Sequence, residues 1–344
     1  MGSTKICDFA ITVIQTDEDV IGVGEASGSA SWSGETQEGM LAAINKVLAP
    51  ALIGQDPFQV STLADRMDEL LWANPFAKAA LEMALMDVIG KSLGVPVYTL
   101  LGGRRELLEI PLKFSIGAYE PAEAARRAEL FASRDFQAVK VKVGLEVRSD
   151  IARVQAVRSA VGDKFRLAVD ANGGWVEQEA RAAIPQLERL GVNALEQPLP
   201  RWNIRGCARL RKCTSIPIIL DESIFTRENA TEAIRYEACD VISIYPGKNG
   251  GLWRSLEIAQ VARSAGLECV IGSNLEGDIG SSAMLHVAAS IPNLAAFVDH
   301  EIIGPLYHSR SFAVDPLKIE RGRVVVPRGP GLGVELDFEQ LQTS

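Results

Sequence analysis

The sequence predicts an α/β fold: a modified (β/α)7β TIM-type barrel with an α+β capping domain formed by the N-terminal part and the C-terminal tail. Three observations carry this. Short apolar runs alternate with amphipathic stretches through the middle of the 344 residues. Five successive runs end in a charged residue, at positions 142, 170, 196, 221 and 248, in steps of 28, 26, 25 and 27 residues. Each step is the length of one β/α unit. The first hundred residues and the segment after Pro305 lack this repeat. The expected division is 1–108 for the cap, 109–308 for the barrel and 309–344 for a tail that returns to the cap.

Taken in order, Phe9–Gln15 and Val20–Glu25 alternate and are joined by Thr16-Asp17-Glu18-Asp19, which reads as a hairpin. Helices follow at Glu35–Leu48, Val60–Leu71 and Phe76–Leu93, and Gly102-Gly103-Arg104-Arg105 punctuates the end of this part. Eight strands are expected next: Pro111–Ile116, Ala138–Val143, Arg166–Asp170, Ala194–Glu196, Pro217–Asp221, Val241–Tyr245, Cys269–Gly272 and Ala296–Asp299. Each is rich in Val, Ile, Leu or Ala without strict alternation, the pattern of a strand covered on both faces. Helical stretches intervene at Pro121–Ser133, Arg148–Val161, Val176–Leu190, Arg227–Tyr236 and Gly251–Ala265. In Val176–Leu190, Ala180, Ala183, Ile184 and Leu187 recur at steps of three and four. The tail is Gly/Pro-rich at Arg328–Gly333.

Composition narrows the function classes. Lys+Arg 35 against Asp+Glu 44 gives a net charge of −9, which argues against a nucleic-acid partner. No apolar run reaches the roughly 18 residues of a membrane span, and no signal-peptide core is visible at the start. The cysteines at 7, 207, 213, 239 and 269 are odd in number and never spaced as CxxC. A reduced, cytoplasmic chain without a disulfide framework is expected.

Chemistry in a β/α barrel sits at the C-terminal ends of the strands. Here those ends carry Lys140-Val141-Lys142, Asp170-Ala171-Asn172, Glu196-Gln197-Pro198, Asp221-Glu222-Ser223 and Tyr245-Pro246-Gly247-Lys248. Asp170, Glu196 and Asp221 on one rim would repel one another without a counterion. An oxygen-only set suits a hard divalent cation, Mg2+ or Mn2+. Lysines flank the acids on both sides. A substrate carboxylate on such a cation has an acidified α-proton, which Lys142 or Lys248 could remove. Lys140 is either a third catalytic group or an electrostatic support. The Gly250-Gly251 pair serves either as a phosphate cradle or as a tight turn.

These motifs, with Lys248-Asn249-Gly250-Gly251, resemble the signature of the enolase superfamily, and more narrowly of its mandelate racemase/muconate lactonizing enzyme family. The stretches Ala77–Asp87, Gly90–Pro96, Leu100–Gly103 and Gly329–Gly333 resemble the family's cap helix, linker and tail, so the likeness spans nearly the whole chain. Ile271-Gly272-Ser273-Asn274-Leu275-Glu276 has no histidine at the seventh strand, and a lysine ends the sixth. That resembles the muconate lactonizing subgroup, with a lysine on each side of the substrate. The resemblance implies proton abstraction alpha to a carboxylate through an enediolate, with Mg2+ (or Mn2+) as cofactor.

Within the subgroup, cycloisomerisation of muconate is the first expectation. Racemisation or epimerisation of an N-acyl or other amino acid derivative is the alternative, together with dehydration of the o-succinylbenzoate synthase type. At the eighth strand, where dipeptide epimerases carry Asp-x-Asp, this chain has Glu301-Ile302-Ile303. Asn172, Glu222, Asn274, Glu276, Ser115 and Trp32 are the candidates for substrate contact or for support of the acids. Glu276 is either a proton relay or a loop acid bound to backbone, and Trp32 either touches substrate or packs. Pocket walls are expected from Phe114, Ser115, Tyr245, Asn274 and Asp299, while His286, His300 and His308 read as structural. The resemblance also implies a first strand and lid loop ahead of Phe9, where only eight residues stand, and a homo-oligomer, dimer or octamer. Outside this class stand a metal-dependent aldolase or hydrolase and a non-catalytic metal-binding member of the family.

Overall fold

The computed structural model describes residues 7–103 and 108–342. The expectations for a lid before Phe9 and for Arg104-Arg105 fall outside these residues. Strands β1 (Ala10–Gln15) and β2 (Ile21–Ala26) form the expected antiparallel hairpin, paired from Ala10↔Ala26 to Gln15↔Ile21. The first expected helix is built in three joined pieces: Gln37–Ala43, a π-helical turn Ile44–Leu48, and Ala49–Leu52. Thr36 caps its start by accepting from Gly39 N. Helices Val60–Leu70 and Pro75–Leu93 follow, the latter opening on Pro75 and closing on Gly94 at φ 66°.

Helix Pro75–Leu93 is buried on every side from Phe76 to Gly90, which is why it is apolar all round. It lies on β2 at a distance only glycine permits. A Cβ on Gly24 would stand 1.8 Å from Ala80 O, and one on Gly22 would stand 2.2 Å from Ala84 O. The buried Asp87 carboxylate ties three parts together by accepting from Val23 N, Leu332 N and Lys91 Nζ. Gly331 of the tail exchanges backbone bonds with Val95 and Val97.

The barrel sheet runs β4 (Phe114–Ile116), β5 (Ala138–Lys142), β6 (Arg166–Asp170), β7 (Ala194–Glu196), β8 (Ile218–Leu220), β9 (Val241–Ile244) and β10 (Glu268–Ile271), all neighbours parallel. The first expected strand is split. Its start, β3 (Glu109–Pro111), instead joins the tail strands β11 (Ile319–Glu320) and β12 (Arg323–Val325). Helices at 121–132, 147–161, 177–189, 227–235 and 252–264 match expectation within a residue or two at each end. Helices Ile204–Arg211 and Asp278–Ser290 complete the β/α units after β7 and β10.

The expected eighth strand, Ala296–Asp299, is not a strand. Residues 294–301 close the barrel irregularly: Ala295 N and Glu301 N donate to β10, while His300 bonds Pro111 O and receives Lys113 N at its carbonyl. The ladder breaks because its carbonyls are used otherwise, Phe297 O by Asn193 Nδ2 and Asp299 O by Lys113 Nζ. Inside, Ala168, Ala194, Ile219, Val241, Val270, Ala295 and Val298 form one apolar layer. Side chains two residues further along β6 and β7 therefore crown that layer. Among the described residues, no helix is long and apolar enough to cross a membrane.

Gly24→Ala should cost roughly 1–3 kcal/mol or more, because the backbone of helix Pro75–Leu93 must retreat from the new methyl group. A urea midpoint equal to that of the parent protein would show the helix free to move.

Candidate active site

The crown is built by strand period and register. Lys140 and Lys142 share a face of β5, with Ser115 opposite Lys140, Asp170 opposite Lys142 and Glu196 opposite Asp170. Asp221 follows β8 directly, and Lys248 lies in the single helical turn Pro246–Asn249 after β9. All five predicted charged positions thus meet at the C-terminal rim. Counted around the barrel, Lys142 comes from the second strand and Lys248 follows the sixth, so they face each other across the ring of eight positions. The three acids lie between them.

The charges are paired internally. Lys140 Nζ stands 3.0 Å from Asp170 Oδ2 and 3.1 Å from Glu196 Oε2, and it also contacts Glu301. Lys142 Nζ is 2.5 Å from Asp170 Oδ2, and this side chain keeps 21% exposure. Lys248 is fully buried. It donates to Asp221 Oδ1 at 2.7 Å, Asp221 O at 3.0 Å and Ser243 O at 2.7 Å, with its ammonium 4.8 Å from the centre of the Tyr245 ring.

Burial would depress Lys140, but Asp170, Glu196 and Glu301 outweigh it and hold the ammonium well above its ordinary range. Lys142 is raised likewise, burial being overcome by Asp170. Burial would lift Asp170, yet Lys140 and Lys142 hold it well below the usual carboxylate range. Glu196 is pushed up to about 7 by burial, with Lys140 opposing. Glu222 rises to about 7 through burial and the neighbouring Asp221 and Asp170.

The supporting candidates divide. Trp32 Nε1 and Asn172 Nδ2 both donate to Glu222 Oε1, at 3.2 and 2.7 Å, which joins the cap loop to the rim. Trp32 also lies beside Phe76, Phe225 and Tyr245. Asn274 Nδ2 donates to Ser27 O, a second link to the cap. Glu276 takes Ser273 Oγ at 2.6 Å and Asn274 N at 3.0 Å, so its carboxylate serves its own loop. Ser115 lies inside beside Lys140, and its carbonyl accepts from Tyr307 Oη at 2.6 Å.

Two expected pocket walls are misplaced. Phe114 alternates with Ser115 and turns outward, stacking on Phe131 of helix Pro121–Ala132. Asp299 pairs with Arg166 at 2.7 Å, and Arg166 begins β6, so Asp299 belongs to the opposite end of the barrel from Asp170. The histidines are structural: His286 bridges Tyr98 N and Leu332 O, His300 accepts from Ile271 N, and His308 bonds Leu275 O.

Sequence reasoning missed three groups. Glu301 enters the crown through Lys140. Lys113, two residues before Ser115 and therefore on the same face, is buried with its ammonium on Asp299 O, and burial depresses its proton affinity. Gln197, at φ 34°, accepts from Asp221 N and Ser223 N while donating to Leu199 O and Ser223 Oγ, so it fixes the loop that carries Asp221. A lysine inside an apolar run was the available signal for Lys113.

Among the described residues, no three His, Cys, Asp or Glu side chains stand close enough to ligate one ion as they are. The ammonium groups of Lys140, Lys142 and Lys248 lie on the oxygens that an ion would use. The donor set itself fits a hard cation, being buried, all-oxygen and drawn from three successive β/α units. Glu222 Oε2, beside Asp221, is buried with no hydrogen-bond partner, as expected of a group left short of a cation.

Residues 1–102 match the family model described as mandelate racemase / muconate lactonizing enzyme, N-terminal domain, and residues 122–341 match the enolase C-terminal domain-like model. The chain is 33% identical over 342 residues to the N-succinyl-L-Arg/Lys racemase of Bacillus cereus, covering 99% of this chain and 91% of that one. It superposes on the crystal structure of 2-chloromuconate cycloisomerase from Rhodococcus opacus 1CP with a TM-score of 0.94 at 34% identity, covering 98% and 93% of the two chains. It is also similar to the dipeptide epimerase of Enterococcus faecalis V583, solved with Mg and the dipeptide L-Leu-L-Tyr, with a TM-score of 0.91, 31% identity and coverage of 96% and 92%.

Lys140→Met should destabilise the metal-free protein by about 3–5 kcal/mol, since three buried carboxylates lose their shared cation. Chemical denaturation in EDTA measures this, and a loss below about 1 kcal/mol would show that Lys140 is not the hub of the charge network.

Proposed function

Because the chain belongs to the mandelate racemase/muconate lactonizing enzyme family of the enolase superfamily, we propose that it removes and returns a proton alpha to a substrate carboxylate. The observation that carries this is the placement of Lys142 and Lys248 on opposite sides of the ring, with Asp170, Glu196 and Asp221 between them. Those three acids would hold a divalent ion, Mg2+ or Mn2+. When bound, the ion supplies Lewis acidity toward the substrate carboxylate.

Lys142 Nζ is the more accessible base. Its positive charge rests chiefly on Asp170, so engaging that carboxylate elsewhere lowers its hold on the proton. Lys248 faces the opposite side of the substrate, with its ammonium available to return a proton or to balance developing negative charge. Lys140 keeps its proton among Asp170, Glu196 and Glu301 and acts as a fixed charge. Trp32, from the cap loop, packs on Phe225 and Tyr245 beside the rim, an apolar contact that restricts water there.

Glu301 is committed to Lys140, and Ile303 is apolar and buried. The eighth position therefore offers no free carboxylate pair for a substrate ammonium. A substrate without a free α-amine fits, and the first reading is a muconate-type diacid. One carboxylate adds to the diene to close the lactone while a lysine ammonium delivers a proton to the carbon alpha to the other carboxylate, α-proton abstraction being the reverse of that step. Racemisation of an N-acyl amino acid is the second, favoured by the two opposed lysines, either of which could take the proton from its own side.

Incubation with cis,cis-muconate, read by loss of diene absorbance, and with N-succinyl-arginine enantiomers in D2O, read by deuterium at the α-carbon, separates the two. Lys142→Ala and Lys248→Ala should each slow the productive reaction by about 100-fold or more, and EDTA should abolish it. Turnover that survives EDTA, or that both substitutions leave intact, would overturn the proposal.

A further inference from the structure

The two lysines are held by different parts of the molecule. Around Lys142 the supports are internal to the barrel. Arg153 donates to Lys142 O at 3.1 Å and to Asp150 Oδ1 at 2.9 Å. The other Asp150 oxygen accepts from Gly144 N, Leu145 N and Trp175 Nε1 at 2.8, 3.1 and 3.1 Å. Asp150 and Arg153 are buried and lie on helix Val147–Val161, which follows β5.

Around Lys248 the support comes from the cap. The turn Pro246–Asn249 is followed by Gly250 and Gly251, at φ 86° and 133°, and then by helix Leu252–Ser264. Glu82, on the cap helix Pro75–Leu93 and 1% exposed, receives Leu252 N on one carboxylate oxygen at 2.7 Å and Trp253 N on the other at 3.0 Å. A Cβ on Gly251 would stand 2.7 Å from Glu82 Oε2, and a Cβ on Gly247 would stand 2.5 Å from the Phe76 ring. The same cap helix thus touches the chain on both sides of Lys248. Its own first turn is anchored by Glu35, which accepts from Phe76 N and Ala77 N at 3.2 Å each.

We propose that Glu82 is a positioning residue for Lys248, through which the cap sets one of the two opposed bases and leaves the other to the barrel. This rests on the reading of the two lysines as opposed bases. The Glu82 carboxylate fixes the start of helix Leu252–Ser264, where the N–H groups without an intrahelical partner and the helix dipole favour a negative charge. The two glycines transmit that position to the turn that carries Lys248. Among the described residues, no hydrogen bond of the Asp150–Arg153 network runs through Glu82.

The test follows α-proton exchange from N-succinyl-L-arginine and N-succinyl-D-arginine in D2O with Mg2+. Lys142→Ala and Lys248→Ala first assign each enantiomer to its lysine. Glu82→Ala should then slow the Lys248-dependent exchange by about tenfold or more and leave the other within about twofold. Glu82→Gln, which keeps one acceptor oxygen, should fall between, and Asp150→Asn should show the reverse asymmetry. Equal slowing of both enantiomers, or slowing confined to the Lys142 route, overturns the proposal. Hydrogen exchange read by mass spectrometry on the same variants supplies a readout that needs no turnover. Residues 246–253 should lose protection in Glu82→Ala while residues 140–145 keep theirs, and unchanged protection at 246–253 overturns the positioning role. If neither enantiomer exchanges in the parent protein, the N-acyl substrate reading fails, and the protection measurement alone decides the role of Glu82. If Glu82→Ala does not fold, Glu82→Gln carries both comparisons.

Discussion

Four carboxylates buried at one end of a barrel repel one another, and the rest of the structure is arranged around that repulsion. Asp170, Glu196 and Glu301 share the ammonium of Lys140, Asp170 also holds Lys142, and Asp221 is held by Lys248. Charges so far from water are tolerated only with partners at hydrogen-bond distance. The strand register supplies those partners, because residues on neighbouring parallel strands at one height point to the same place. The acidic net charge of the molecule is therefore no guide to the site, where lysines and a divalent ion would together present positive charge to an anionic substrate.

The cap extends this logic outward by a second use of buried carboxylates. Glu25, Glu35, Glu82 and Asp87 each accept backbone N–H groups from another segment, joining hairpin, cap helix, barrel loops and tail. Burial pushes Glu25 and Glu82 up to about 7, the cost of placing acids where they order helix starts. Trp32 and Asn274 add contacts from cap to rim. Cap and barrel are therefore joined over the rim.

Much of this was legible in the sequence. A repeat of 25–28 residues with charged strand ends fixes which side chains share the rim, since barrel geometry leaves no other solution. Five consecutive strands, from Ala138 to Ile244, lie within the expected runs for the same reason. Closure was not legible: Ala296–Asp299 has strand composition, but its backbone is drawn to Lys113 and Asn193, contacts that exist only after folding. Phe114 and Asp299 were misjudged because a split first strand and an irregular eighth segment carry no readable phase. Gln197 and Glu82 escaped for another reason. Both act on backbone groups distant in sequence, and no spacing rule reports such bonds.

On the proposed function, Asp170, Glu196 and Asp221 jointly hold one divalent cation in place of their lysine partners. Titration calorimetry of the EDTA-stripped protein with Mg2+ tests it most directly. Saturable binding of one ion per chain is expected, weakened by about tenfold or more in both Glu196→Gln and Asp221→Asn. Absence of saturable binding, or binding that both substitutions leave unchanged, would contradict it.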